Sequence, residues 1–230
     1  MKKVSNKVET IFAHAAALQQ SGRLRNTIYC KKSFVYILNQ DHTVLLRFPV
    51  EKEFEAEASF NANDYDSKQF QIVNGKICFV INKGELERTK SCRTPEFSPS
   101  DVRKLFQKLL KSEKPFTTVN IGSNFLKCVD ESLSHLEFSA AKNELIIRQR
   151  NIYTGSIITI KEKSKGLVAE QRVKKFKPMG IRTNDFLALF SFIQSLSVSF
   201  GKNAIWVESK AGIRFKGIIS QCIYDELGVE

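Results

Sequence analysis

Histidine is scarce in this 230-residue chain, and the motifs of several familiar chemistries are missing. The three histidines, His14, His42 and His135, lie far apart, and none stands near a serine or cysteine motif for nucleophilic catalysis. There is no GxxxxGK[ST] loop, no GxGxxG opening a helix and no HExxH, so phosphate-cradling and zinc-protease mechanisms lack their parts. The five cysteines, Cys30, Cys78, Cys92, Cys128 and Cys222, are odd in number, widely spaced and without a CxxC, which argues against a disulfide framework and against a zinc site. Asp130 and Glu131 are the best candidates for a metal nuclease, and two neighbouring carboxylates on one expected helix are thin support for one. No catalytic, metal or cofactor-binding residue is therefore expected. Long apolar runs are also missing: no window holds about 18 consecutive apolar residues, and MKKVSNKVETIF lacks the apolar core of a signal peptide. The expectation is a soluble cytoplasmic protein with no membrane partner.

Positive charge is abundant. Lys plus Arg number 36 against 24 Asp plus Glu, a net charge of +12, which suits a polyanionic partner such as nucleic acid and also serves solubility. Distribution favours the first. Between Lys142 and Lys177, ten cations (Lys142, Arg148, Arg150, Lys161, Lys163, Lys165, Arg172, Lys174, Lys175 and Lys177) face Glu144, Glu162 and Glu170, a local net of +7. Arg148 and Arg150 alternate and so share a strand face. In SPSDVRKLFQKLLKSEKP, Ser98, Pro99 and Asp101 make a capping-box start, and Val102, Leu105, Phe106, Leu109 and Leu110 form an apolar stripe. Lys104, Lys108 and Lys111 then line the opposite side, as a row that tracks phosphates or as a solvated face. On the first helix Lys3, Lys7 and His14 sit away from its apolar face, which a solvated helix face also explains. Acidic residues concentrate elsewhere: EKEFEAEASFNANDYD reads as a strand with one acidic face, which belongs away from nucleic acid.

The periodicities alternate between helix and antiparallel strands. SNKVETIFAHAAALQQ reads as a helix with Val8, Ile11, Phe12, Ala15 and Leu18 on one face, followed by RLRNTIYC, SFVYILNQ and DHTVLLRFPV as strands. FQIVNGKICFVIN is a hairpin about Asn74-Gly75. TTVNI is a strand, GSNFLKCVDESLSHL a helix, and ELIIRQRN with SIITIKEK a hairpin. A capped apolar helix, TNDFLALFSFIQS, with Phe186, Leu187, Phe190, Ile193 and Leu196 at helical spacing, precedes two alternating strands, LSVSFGKNAIWVES and GIRFKGIIS. KGELERTKSCRTPEFSPS loses periodicity and gains Pro95 and Pro99. The expected division is a domain over 1–94, a linker with an extra amphipathic helix over 95–115, and a second domain over 116–230.

This order of elements resembles a sliding clamp, in particular the two-domain clamp of T4-like phages. SNKVETIFAHAAALQQSGRLRNTIYCKKSFVYILNQ is similar to a clamp's first module, and NDFLALFSFIQSLSVSFGKNAIWVESKAGIRFKG to its last. The resemblance implies an α+β, DNA-clamp-like fold: two domains of repeated helix-plus-antiparallel-meander modules, with helices on one face of the sheets. It also implies backbone contacts to DNA that do not read sequence, from Lys3 and Lys7 on the first helix, Lys127 on the expected third-module helix, and Arg182 beside the last. Two departures stand out. The second-module helix shrinks to NANDYDSKQ, and the helix at 98–112 is an addition. The charge of +12 is closer to herpesvirus-type processivity factors, which grip DNA as open assemblies.

The reading is a non-catalytic, sequence-tolerant protein that binds double-stranded DNA. It would serve viral or phage replication as a processivity factor, or coat DNA as a transcription regulator. DNA polymerase or RNA polymerase are its candidate protein partners, with self-association on DNA. An adaptor that touches DNA only incidentally and a metal-dependent nuclease are the alternatives.

Overall fold

The computed structural model describes residues 6–21, 25–51, 54, 57–65, 70–73, 76–79, 97–112, 114–115, 117–122, 127–141, 144–150, 157–162, 178–190, 192, 195–209 and 212–221. The fold is α+β, and Cα proximity divides it into two units: residues 1–112 with 213–215, and 113–212 with 216–230.

In the first unit α1 (Asn6–Gln20) is followed by β1 (Asn26–Lys31), β2 (Phe34–Asn39), β3 (Val44–Pro49) and β4 (Ala58–Asn61). These strands form an antiparallel sheet in the order β4-β1-β2-β3. A single 3-10 turn, Ala62–Asp64, stands where the second-module helix was expected to shrink, and the hairpin β5 (Phe70–Val73) and β6 (Lys76–Phe79) follows as read from the sequence. Among the described residues of the acidic stretch 51–66, strand is formed over β4, a short edge strand, and Glu51, Phe54 and Glu57 stand outside it, which corrects the long acidic strand face there; Lys52, Glu53, Glu55, Ala56 and Asp66 lie outside the described residues. Glu57, just before β4, forms an ion pair with Lys31. Helix α2 (Pro99–Ser112) completes the unit.

Register shows that the two helices cover opposite sheet faces. Phe12 of α1 packs edge-on to Phe60 at 5.2 Å, and Phe60 is paired with Ile28, itself paired with Ile37. Phe106 of α2 packs against Tyr36 at 6.1 Å, one residue away along β2. Successive strand side chains point to opposite faces, so α1 lies on the Ile37 face and α2 on the Tyr36 face.

The second unit carries β7 (Thr117–Gly122), β8 (His135–Ala141), β9 (Glu144–Arg150), β10 (Ile157–Glu162), β11 (Met179–Arg182), α3 (Thr183–Leu189), β12 (Ser195–Phe200), β13 (Ala204–Ser209) and β14 (Phe215–Ser220). One sheet runs β10-β9-β8-β11, and the other strands run β14-β13-β12-β7. Phe138 of β8 bridges the two layers, with ring centroids 5.2 Å from Phe186 of α3 and 5.5 Å from Phe200 of β12.

Three sequence readings are corrected here. The helix expected over GSNFLKCVDESLSHL is not formed from Val129 onward, where turn and bend lead into β8. Asp130 Oδ1 accepts from the amide and the hydroxyl of Ser132 (2.9 and 2.6 Å), and Gln149 ties both the amide and the carbonyl of Asp130 (2.8 and 2.9 Å). Side chains thus take the backbone groups a helix would use. The helix TNDFLALFSFIQS stops at Leu189, because the amides of Phe190 and Phe192 bond back three residues and Leu196 turns into β12. Thr183 is the first helical residue and not its cap. Finally, LSVSFGKNAIWVES is two strands and not one, with the turn closed by Gly201 N donating to Ala204 O at 3.0 Å.

Candidate nucleic-acid interface

Helix α2 presents a basic surface among the described residues, and local chemistry explains how the helix is held. Ser98 Oγ accepts from the Asp101 amide at 3.1 Å, while Asp101 Oδ2 accepts from the Ser98 amide at 3.3 Å and its hydroxyl at 2.6 Å: the capping box read from the sequence. Val102 and Phe106 are buried. The Arg47 guanidinium lies between the rings of Phe34 and Phe106, 4.9 and 4.7 Å from their centroids, so that this cation is spent on packing. Lys31 donates to Glu57 and to Ser100 in the first turn of α2, and Ser100 Oγ donates to Glu57 Oε2 at 3.1 Å.

Both carboxyls titrate low. The Lys31 hydrogen bond holds Glu57 below its ordinary 4.5, against the opposing pull of burial and with help from Ser100. The Ser98 hydroxyl and amide hold Asp101 below 3.8. A depressed carboxyl stabilises the fold fully above its unfolded value and loses that contribution as pH falls through the lower folded value. Helicity of α2 should therefore be flat from about pH 7 to about pH 5 and decline below about pH 4. In the double variant Glu57→Gln, Asp101→Asn the decline followed by circular dichroism should shrink, and an unchanged decline would show that these carboxyls do not govern it.

On the side of α2 away from the sheet, Lys104, Lys108 and Lys111 are all exposed. At 100° per residue they fall within an arc of about 60°. Lys114, just beyond the helix, is exposed as well. The sequence reading missed it, although it prolongs the four-and-three spacing by three more residues.

Helix α1 is different. Its exposed residues are Thr10, Ala13, Ala17 and Gln20, with Lys7, Glu9, His14 and Gln19 half-exposed, so Lys7 and Glu9 offset one another and the described face away from the core carries little net charge. Lys7 is the described cation of that face.

In the second unit β8 alternates half-exposed His135, Glu137 and Ser139 with buried Leu136, Phe138 and Ala140. Arg148 of β9 stands opposite Glu137 and Thr159, is exposed, and shares its guanidinium with Glu137 Oε1 at 3.4 Å. Such a surface pair is worth about 0–1 kcal/mol and leaves the arginine able to exchange partners. Arg150 and Lys161 occupy strand positions paired with Ile157 and Ile146, in phase with Arg148 and Thr159. Arg182 is half-buried at the end of β11, paired with His135. Lys127 is exposed in a short 3-10 turn, not on a long helix. The fold thus gathers Lys104, Lys108 and Lys111 on one helix, and Arg148, Arg150 and Lys161 on one sheet. It separates Lys7 from the α2 row by the thickness of a sheet. Lys3, Lys163, Lys165, Arg172, Lys174, Lys175 and Lys177 lie outside the described residues.

Cys30 is fully buried, and burial pushes its thiol far up, so it stays protonated and inert. Among the described residues no cluster of three His, Cys, Asp or Glu could hold a metal ion, and no helix is long and apolar enough to cross a membrane.

No protein-family model matches the chain, and no curated protein matches it in sequence. Solved structures do match. A Helicobacter pylori beta clamp in complex with 3,4-difluorobenzamide aligns with a TM-score of 0.61 and 12% identity, over 95% of this chain and 64% of that one. A PCNA2-PCNA3 complex from Sulfolobus tokodaii aligns at 0.57 and 12%, over 91% and 96%. A Helicobacter pylori beta clamp bound to a DNA ligase peptide aligns at 0.58 and 11%, over 97% and 68%. The chain spans just under two thirds of the first of these beta clamps and nearly the whole of the PCNA chain. Helix, meander and paired units, arranged as described, are those of the sliding-clamp fold, and this chain has that fold.

Proposed function

We propose that the protein is a non-catalytic clamp that holds double-stranded DNA by its phosphate backbone, without reading sequence, and keeps a replication enzyme on its template. The observation that carries this reading is the clamp fold across 95% of the chain. The net charge of +12 supports a polyanionic partner, and supports the open, loader-independent grip of the basic processivity factors over a closed ring that depends on enclosure alone. Lys7 on the near-neutral face of α1, the strand positions of Arg148, Arg150 and Lys161, and the lysine-rich segment up to Lys177 are the proposed contacts. A neutral helix face with few fixed charges favours sliding, since each tightly paired phosphate must be released for the duplex to advance.

The test is fluorescence anisotropy on short linear duplexes of unrelated sequence, without loader or ATP and with a single-stranded competitor. Binding within about threefold across sequences and preference for duplex are expected. Failure to bind both linear and nicked circular duplex would sink the reading. Plasmid left intact after long incubation with magnesium or manganese is expected alongside, and nicking that follows the protein through purification would replace the clamp with a nuclease. The beta clamp solved with a DNA ligase peptide supports a further role as a platform for partner peptides. Saturable capture of a polymerase-tail peptide would establish it.

A further inference from the structure

The clamp reading places a duplex along α1, and the strongest described basic surface of the same unit faces the other way. We propose that the row Lys104, Lys108 and Lys111 is a second phosphate-backbone contact that takes a separate segment of duplex DNA. The proposal rests on the clamp reading and extends it.

α1 packs on the Ile37 face of the β4-β1-β2-β3 sheet and α2 on the Tyr36 face. A single straight duplex lying on α1 cannot also touch a row on the outer side of α2, because a full sheet and a helix intervene.

Lys104 to Lys111 spans seven residues, about 10 Å at 1.5 Å per residue. With one phosphate per 3.4 Å of axis on each strand, that length matches about three consecutive phosphates for three ammonium groups. No ion pair among the described residues engages these lysines, and Asp101, already committed to the Ser98 cap, is the carboxylate whose charge feels Lys104. Lysines at i, i+4 and i+3 repel one another and weaken a helix by about 0.2–0.5 kcal/mol per pair. The fold tolerates this because the Arg47 sandwich holds α2 from its buried side, while the Ser98–Asp101 cap and the Lys31–Glu57–Ser100 latch fix its first turn. A polyanion on the row would turn that repulsion into attraction.

The residues around the row select a phosphate backbone over an acidic protein. Beside the lysines stand Gln107, Ser112 and the cap residue Asp101, all exposed, with Leu105 and Leu110 half-exposed at the margins. The row itself has no aromatic or apolar anchor of the kind on which protein interfaces concentrate their binding energy, whereas a phosphate backbone asks only for positioned cations.

The experiment uses the full chain on beads carrying one duplex, at sparse protein density, with a fluorescent second duplex in solution. The comparison is Lys104→Gln, Lys108→Gln, Lys111→Gln against the unaltered protein, with matching thermal melts as the folding control. The unaltered chain is expected to capture the second duplex. The triple variant is expected to stay on the beads while its capture drops at least tenfold. Equal capture by the variant, or none by the unaltered chain, overturns the second contact. Loss of the variant from the beads also overturns it, since the row would then be the primary grip. Failure of the unaltered chain to bind the bead duplex at all is a different result, and it removes the clamp reading itself.

Discussion

Raising salt from about 50 mM to about 200 mM is expected to weaken binding of a short linear duplex by about a thousandfold. Each phosphate neutralised by lysine or arginine releases condensed counterions, with a slope of about −0.9 per contact in a plot of log affinity against log salt. A duplex engaging on the order of six phosphates therefore gives a slope of roughly −5. The supply of cations is adequate: the chain carries 36 Lys plus Arg, and ten of them fall between Lys142 and Lys177. Two facts limit the slope. Arg47 is held between two aromatic rings, and Lys31 is committed to Glu57 and Ser100, so neither is available to a phosphate. Arg148 must first exchange Glu137 for the DNA, which makes its contribution smaller than one full contact. A measured slope near −1 would mean that only one or two phosphates are touched, and would favour an adaptor whose contact with DNA is incidental.

The parts of this fold that were legible in the sequence are those where local chemistry and packing agree. The α2 start is the clearest case: Ser98, Pro99 and Asp101 encode a cap that forms in the structure with all its bonds, and the Val102 and Phe106 spacing encodes the buried side. Strand alternation was equally readable, as in β12 and β13, where buried and partly exposed residues alternate throughout. Where the reading failed, tertiary contacts overrode a local pattern. Val129 and Leu133 are buried as a helix stripe would be, yet Gln149, distant in sequence, takes the Asp130 backbone groups and holds a turn. In α3 the apolar residues pack on every side, Asp185 through Phe190 all being buried, so their spacing no longer marks a stripe or an end. The proposed contacts could be read from the sequence as a list of cations but not as surfaces. That Lys7 and Lys104 belong to opposite faces follows from the register of Ile37 and Tyr36, which depends on strand pairing and not on composition.

Replacing Phe138 by alanine is expected to destabilise the second unit by about 3–5 kcal/mol, the range for a large aromatic removed from a core that cannot collapse. Phe138 is fully buried on β8, and its ring meets Phe186 of α3 edge-on and Phe200 of β12 at a tilt. It is paired in register with Ile147 on one side and Met179 on the other, so both neighbouring strands also border the space it fills. Truncation removes the apolar area and also the edge-to-face attraction, itself worth about 0.5–1.5 kcal/mol. The two layers cannot close the gap, because each is fixed by its own ladder of backbone hydrogen bonds. For a protein of this size each kcal/mol moves the midpoint by about 2–4 °C, so the melting temperature should fall by about 10 °C. Phe138→Leu, which keeps most of the volume, should lose less than half as much, and Trp206→Ala, at a half-exposed position on β13, less still. Equal losses for Phe138→Ala and Trp206→Ala would show that the Phe138 contacts do not hold the layers together. The same melts bear on the proposed contacts: Arg148, Arg150 and Lys161 keep their common face only while β8 to β10 stay packed. Phe138→Ala should therefore weaken duplex binding as it approaches its lowered midpoint, while the α2 row, built in the other unit, keeps its own geometry.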